Sequence, residues 1–249
     1  MPFVLAENIK AKKEYDIMAQ KRILIPTKSI DNWQALLSEP DKHWRTGYSA
    51  MMMAQSWEKA DGLPPEITSA FTQSGDDNFN NLELILAIPE YQTHLKGGPR
   101  PSQSDVFALL RSENCLIAVT IEGKARENFG PTLDQWQNGV SEKGAGKRLS
   151  HIRNYIGLEK PIPGHIRYQL LHRTASAVIE ARRFHCKAAA MLVQSFVESN
   201  IENHFDDYKR FIDLYGVVAM RDRLMFLTDI SGISLYTAWI YSAPPIYKQ

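Results

Sequence analysis

The sequence predicts a mixed α/β (α+β) protein: a β-sheet containing an antiparallel meander, flanked by helices, in one domain over residues 1–249. Three observations predict it. Apolar runs at 82–88, 105–111 and 116–122 follow one another across short polar breaks, as successive antiparallel strands do. After Pro131 the apolar period becomes helical, most clearly over 167–185. Two later apolar runs, 188–195 and 233–240, return the chain to strand, and strands interleaved with helices argue for a layered sheet.

The remaining elements follow in order. Residues 23–26 (ILIP) read as a short strand, and 29–37 as a helix with Ser29 or Asp31 at its N-cap. A helix over 47–59 is broken at 61–65 (DGLPP), where Pro64 or Pro65 opens a short helix through Phe71. Residues 73–78 are a polar loop, 91–95 are extended, and 96–103 form another loop. Helices are expected at 147–156 and 205–215. On the long helix Leu170, Leu171, Thr174, Ala177, Val178, Ala181 and Phe184 make one broad apolar face. Gln169, Arg173, Ser176, Glu180 and Arg183 align on the opposite side. Trp33, Trp44 and Trp57 are expected to anchor the core.

At 249 residues, 44% hydrophobic and 23% charged, the chain can bury a real core without covalent staples. Cys115 and Cys186 form no C-x-x-C pair, so neither a disulfide framework nor a zinc knuckle is indicated, and a reducing cytoplasm is expected. No apolar run reaches the ~18 residues of a membrane span. The apolar part of the N-terminus is too short for a secretory signal, and Met18 makes the first residues look like an extension.

Chemistry concentrates where the third strand ends in Glu122-Gly-Lys124. Side chains alternate along a strand, so Glu122 and Lys124 share a face and Gly123 turns away. If 112–115 is a four-residue hairpin loop, Arg111 pairs with Leu116, and counting outward sets Asp105 opposite Glu122. A slip of one residue would turn one of the two away. Adjacent carboxylates raise each other's pKa unless a cation lies between them, and hard oxygen ligands suit Mg²⁺ or Mn²⁺. Alone, Glu-x-Lys is a commonplace strand end worth at most ~1 kcal/mol as a surface ion pair. The registered Asp105 is what raises it above that.

Asp105, sixteen residues, then Glu-x-Lys resembles the PD-(D/E)XK superfamily of restriction-endonuclease-like nucleases, whose α-β-β-β-α-β core matches the element order over about 65–196. RPSQSDVFALL, EGKARENFGPT and IRYQLLHRTASAVIEARRF also resemble an uncharacterised bacterial family grouped with that superfamily. The resemblance implies a Mg²⁺- or Mn²⁺-dependent nuclease with Asp105 and Glu122 as metal ligands and Lys124 as the catalytic lysine. It implies a further acid, Glu83 or Glu90, of which Glu90 lies nearer the strand end, and a polar helix residue, Gln169. The first sixty and last fifty residues would be elaborations. Ser104 stands where the family name has proline.

Residues 141–187 carry ten Lys/Arg against three acids, a net of +7 in a chain of net +1. Lys147, Arg148, Arg167, His172 and Arg173 are the expected phosphate contacts, with DNA a better fit than RNA and a homodimer the arrangement many nucleases of this fold use. Glu127 is expected to order its loop rather than bind metal. Gly144-Ala-Gly-Lys147 is no phosphate loop, since it lacks the first Gly, the Ser/Thr after Lys147 and a preceding strand. The competing expectation is a catalytically inactive member of the fold that binds nucleic acid or protein.

Overall fold

The computed structural model describes residues 29–60, 62–196 and 203–244; the strand expected at 23–26 lies outside them. The elements are α1 (Ile30–Gln34), α2 (Pro40–His43), α3 (Ser49–Ala60), α4 (Pro65–Thr72), a 3₁₀ turn (Asp77–Phe79), β1 (Glu83–Thr93), β2 (Ser102–Arg111), β3 (Leu116–Lys124), α5 (Leu133–Asn138), α6 (Glu142–Ile156), α7 (Tyr168–Arg183), β4 (Ala188–Ser195), α8 (Asn203–Asp213), β5 (Met225–Ile230) and β6 (Ile233–Tyr241). Six strands form one mixed sheet in the order β1-β2-β3-β4-β6-β5. The β1-β2-β3 meander is antiparallel, β3, β4 and β6 run parallel, and β5 returns antiparallel on the far edge.

The period-2 alternation of the strands builds a core on each face. Phe107, Leu109 and Ala118 turn toward Leu170, Leu171 and Val178 of α7 and Ile152 of α6. Val106, Ala108, Ile117, Val119 and Ile121 turn toward Met53 and Trp57 of α3 and Ile67 and Phe71 of α4. Strand β4 is buried along its whole length, as a central parallel strand must be. Trp33 and Trp57 are core anchors, and their indole N–H groups donate to Glu58 Oε1 (2.7 Å) and Gln194 Oε1 (3.1 Å).

Several boundaries differ from expectation. α6 begins five residues early because Ser141 caps it, accepting from Gly144 N, although Gly144 and Gly146 blur the helical period. α5 was not expected; a Thr132/Gln135 capping box starts it directly after Pro131. β5 was not expected either, although four of its six residues, Met225, Phe226, Leu227 and Ile230, are apolar. The run 82–88 and the extended 91–95 are one strand, β1, continuous through Pro89 and Glu90. The polar side of α7 is not a solvated face: Arg173, Ser176 and Glu180 are buried, and Glu180 accepts from Tyr91 Oη of β1 at 3.1 Å.

Candidate active site

The ladder between β2 and β3 runs from Arg111↔Leu116 to Val106↔Ile121, so the next step outward sets Asp105 against Glu122, as the hairpin count requires. On the other side of β2, the β1 ladder passes from Pro89↔Val106 to Tyr91↔Ser104, which sets Glu90 against Asp105. Three carboxylates on three adjacent strands therefore stand at one level of the sheet. Glu90 reaches that position with φ +53°, a left-handed backbone that non-glycine residues seldom adopt and that clusters at functional sites. Glu83 lies at the other end of β1, paired with Arg111, whose Nε donates to Glu83 Oε2 at 3.2 Å.

Glu122 is the hub. It and Lys124 are each 3% exposed. Lys124 Nζ and Gln169 Nε2 each donate to Glu122 Oε1 at 2.6 Å, and Arg173 Nε donates to Oε2 at 2.7 Å. Lys124 also lies 4.9 Å from the centroid of the Phe129 ring. Asp105 Oδ2 accepts from Gly123 N at 2.7 Å, and Gln103 Nε2 donates to Glu90 Oε2 at 2.7 Å. Gly123 is glycine because α3 lies over it: a Cβ there would stand 2.6 Å from Met53 Cγ and 3.2 Å from Asp105 Oδ2.

The charges do not balance evenly. Burial would raise Glu122, but Lys124 and Arg173 outweigh it, and the carboxyl stays below its ordinary value. Asp105 goes the other way: burial first, then Glu122 and Glu90, push it well above the carboxylate range against Lys124 and Arg173. Burial likewise carries Glu90 up to about 7, with Gln103 and Arg173 opposing and Glu122 adding to the rise. The cations thus serve Glu122, and the other two carboxyls are short of positive charge.

These groups line an open cleft of 630 Å³ whose opposite wall comes from residues 37–50. Sequence reasoning missed Lys42, His43 and Arg45 there, because only tertiary contact brings them to the sheet. The two walls are tied by Glu127, whose Oε1 accepts from Ser49 N at 2.8 Å and from Ser49 Oγ at the start of α3. Glu127, expected to order its loop, ties that loop to α3 through Oε1 and also lines the cleft.

Of the expected phosphate contacts, His172 and Arg173 line the cleft and Lys147, Arg148 and Arg167 do not. Lys147 is exposed on α6. Arg148 is buried and donates to Arg100 O at 2.8 Å. Arg167 donates to Asp207 Oδ2 at 2.7 Å and to Gly130 O at 2.6 Å. Arg148 and Arg167 are therefore internal ties, whereas Lys143, Lys147, Lys160, Arg182 and Lys187 are exposed.

The profile of a domain of unknown function, DUF6946, matches residues 26–244. The chain belongs to this family. The DUF6946 match takes in both walls of the cleft and all six strands, so the residues before β1 are part of the family's domain. No curated protein and no solved structure matches the chain. Among the described residues of this DUF6946 protein no helix is long and apolar enough to cross a membrane.

Proposed function

We propose that the cleft hydrolyses phosphodiester bonds in nucleic acid with the help of a divalent metal, in the manner the PD-(D/E)XK resemblance implies. The observation that supports this most is the row Glu90, Asp105, Glu122 on adjacent strands with Lys124 on the face of Glu122. The donors fit Mg²⁺ or Mn²⁺ in kind, since they are hard carboxylate oxygens, and the raised Asp105 and Glu90 mark a floor that lacks positive charge. Among the described residues no three His, Cys, Asp or Glu side chains are grouped to hold an ion. Mg²⁺ commonly takes one or two carboxylates and completes its shell with water and phosphate oxygens, so Asp105 and Glu122 suffice as protein ligands. When bound, the ion would lower the pKa of a water and neutralise charge developing on phosphorus.

The chain's own groups supply the rest. Lys124 Nζ, held at Glu122 and against Phe129, is placed to orient the attacking water. Gln169 keeps Glu122 in its rotamer, and Glu90 is a reserve acid beside Asp105. The polymer would lie between α7 and the Lys42–Arg45 rim, which an open cleft accommodates better than a closed pocket would. DNA in the cytoplasm is the substrate this reading favours. Cleavage of mixed DNA and RNA with Mg²⁺ or Mn²⁺ is the test, comparing wild type with Asp105→Ala and Lys124→Ala. Equal activity in all three would sink it.

One observation favours a second reading. Glu122 already carries two internal cations and an amide, which is how a metal-free relative would satisfy a buried carboxylate. That relative would bind nucleic acid or protein without cutting, and Mg²⁺ would leave its melting temperature unchanged.

A further inference from the structure

His172 of α7 lines the cleft beside Arg173, with its ring centroid 4.8 Å from that of Tyr168. Its Nδ1 lies 2.8 Å from Ser102 Oγ, and Arg173 Nη1 lies 3.0 Å from the same oxygen. A guanidinium has donors only, so Ser102 Oγ must accept from Arg173. Among the described residues the serine proton has no other acceptor within reach, so it is directed at His172 Nδ1, which accepts. An Nδ1–H would also face Arg173 Nη1 at 3.5 Å, donor against donor. A neutral imidazole with Nδ1 accepting carries its proton on Nε2. Burial, with the Arg173 and Arg148 guanidiniums, holds the ring neutral well below the usual imidazole range.

We propose that His172 presents a fixed Nε2–H to the cleft as a neutral hydrogen-bond donor for an anionic phosphate oxygen of the ligand, with Ser102 as the positioning residue that sets the tautomer. The assignment rests on the reading of the cleft as a phosphodiester site. Its chain of contacts, Glu122 to Arg173 to Ser102 to His172, links the carboxylate row to the ligand-facing ring. A neutral donor suits this place because a third full cation beside Arg173 and Lys124 would repel both.

Two measurements on the full chain test it. Long-range ¹H–¹⁵N correlation at pH 7, with His172→Phe identifying the signal, should show His172 Nε2 protonated and Nδ1 bare; Ser102→Ala should convert this to a mixture of tautomers. A wild-type ring already mixed, or protonated on Nδ1, overturns the proposal. Binding of short DNA oligonucleotides in EDTA should weaken about five- to tenfold in His172→Phe, the size of one hydrogen bond. It should stay within about twofold in His172→Gln, whose amide N–H overlays Nε2–H. Equal binding by His172→Phe removes the ligand contact even if the tautomer is right. If wild type binds with this pattern yet never cleaves with Mg²⁺, the metal reading fails and the His172 contact stands. If wild type binds no oligonucleotide, both fail.

Discussion

Arg173 Nε lies 2.7 Å from Glu122 Oε2, and both side chains are buried. Each has other partners, Lys124 and Gln169 on Glu122 and Ser102 on Arg173, but they are not equally replaceable. Glu122→Ala would strand two buried cations and should cost about 3–5 kcal/mol, whereas Arg173→Met leaves Glu122 still paired and should cost about half that. Urea unfolding of the two variants checks the order; a larger loss in Arg173→Met would contradict it.

Asp105 is costly to keep ionised, so stability and chemistry should part company there. Asp105→Asn retains an oxygen for Gly123 N–H and removes a repelled carboxylate, and the melting temperature at pH 7 should hold or rise without metal. With Mg²⁺ at one hundred times its dissociation constant wild type should gain about 2.7 kcal/mol. Asp105→Asn should gain far less and should not cleave. Thermal denaturation with and without Mg²⁺ reads both.

Glu90 gives a pH dependence of definite sign. Its carboxyl titrates near 7 in the folded chain against an ordinary 4.5, so between those values the folded state holds the extra proton. Stability should therefore fall as pH rises from 4.5 to about 7, by roughly 2 kcal/mol from this group. Glu90→Gln should flatten that slope. A variant with the wild-type slope would show that the proton sits elsewhere.

Gly123→Ala should cost about 1–3 kcal/mol, because the new methyl group meets Met53 of α3. In a Met53→Ala background the same substitution should be close to neutral, a coupling that a double-mutant cycle measures. Additive losses would mean that Met53 is not the obstacle.

The site was legible in sequence where local rules determine it. The Ser112–Cys115 turn, closed by Ser112 N to Cys115 O at 2.9 Å, carries the register to Asp105 and Glu122 through strict alternation. Glu90 was only half legible, because Pro89 reads as a strand end and nothing local announces that a left-handed residue lets the strand continue. The Thr132/Gln135 capping box and the apolar run Met225-Phe226-Leu227 were available signals for the two missed elements. The Lys42–Arg45 wall had none: its place depends on α3 packing over Gly123, a contact between segments some seventy residues apart. Net charge over 141–187 does not separate Arg148 and Arg167 from the exposed cations, since guanidiniums that tie a helix to its neighbours look the same in sequence as guanidiniums facing solvent.

The Glu127–Ser49 tie has a consequence for how the protein can be cut down. A fragment trimmed to residues 65–196 would lose Met53 and Trp57 from the underside of the sheet and the helix end that Glu127 caps. It would keep every expected catalytic side chain and still present bare strand faces to water. The smallest autonomous piece of this chain is therefore set by the reach of its second core, and a minimal fragment drawn around the carboxylates alone would be a recipe for aggregation.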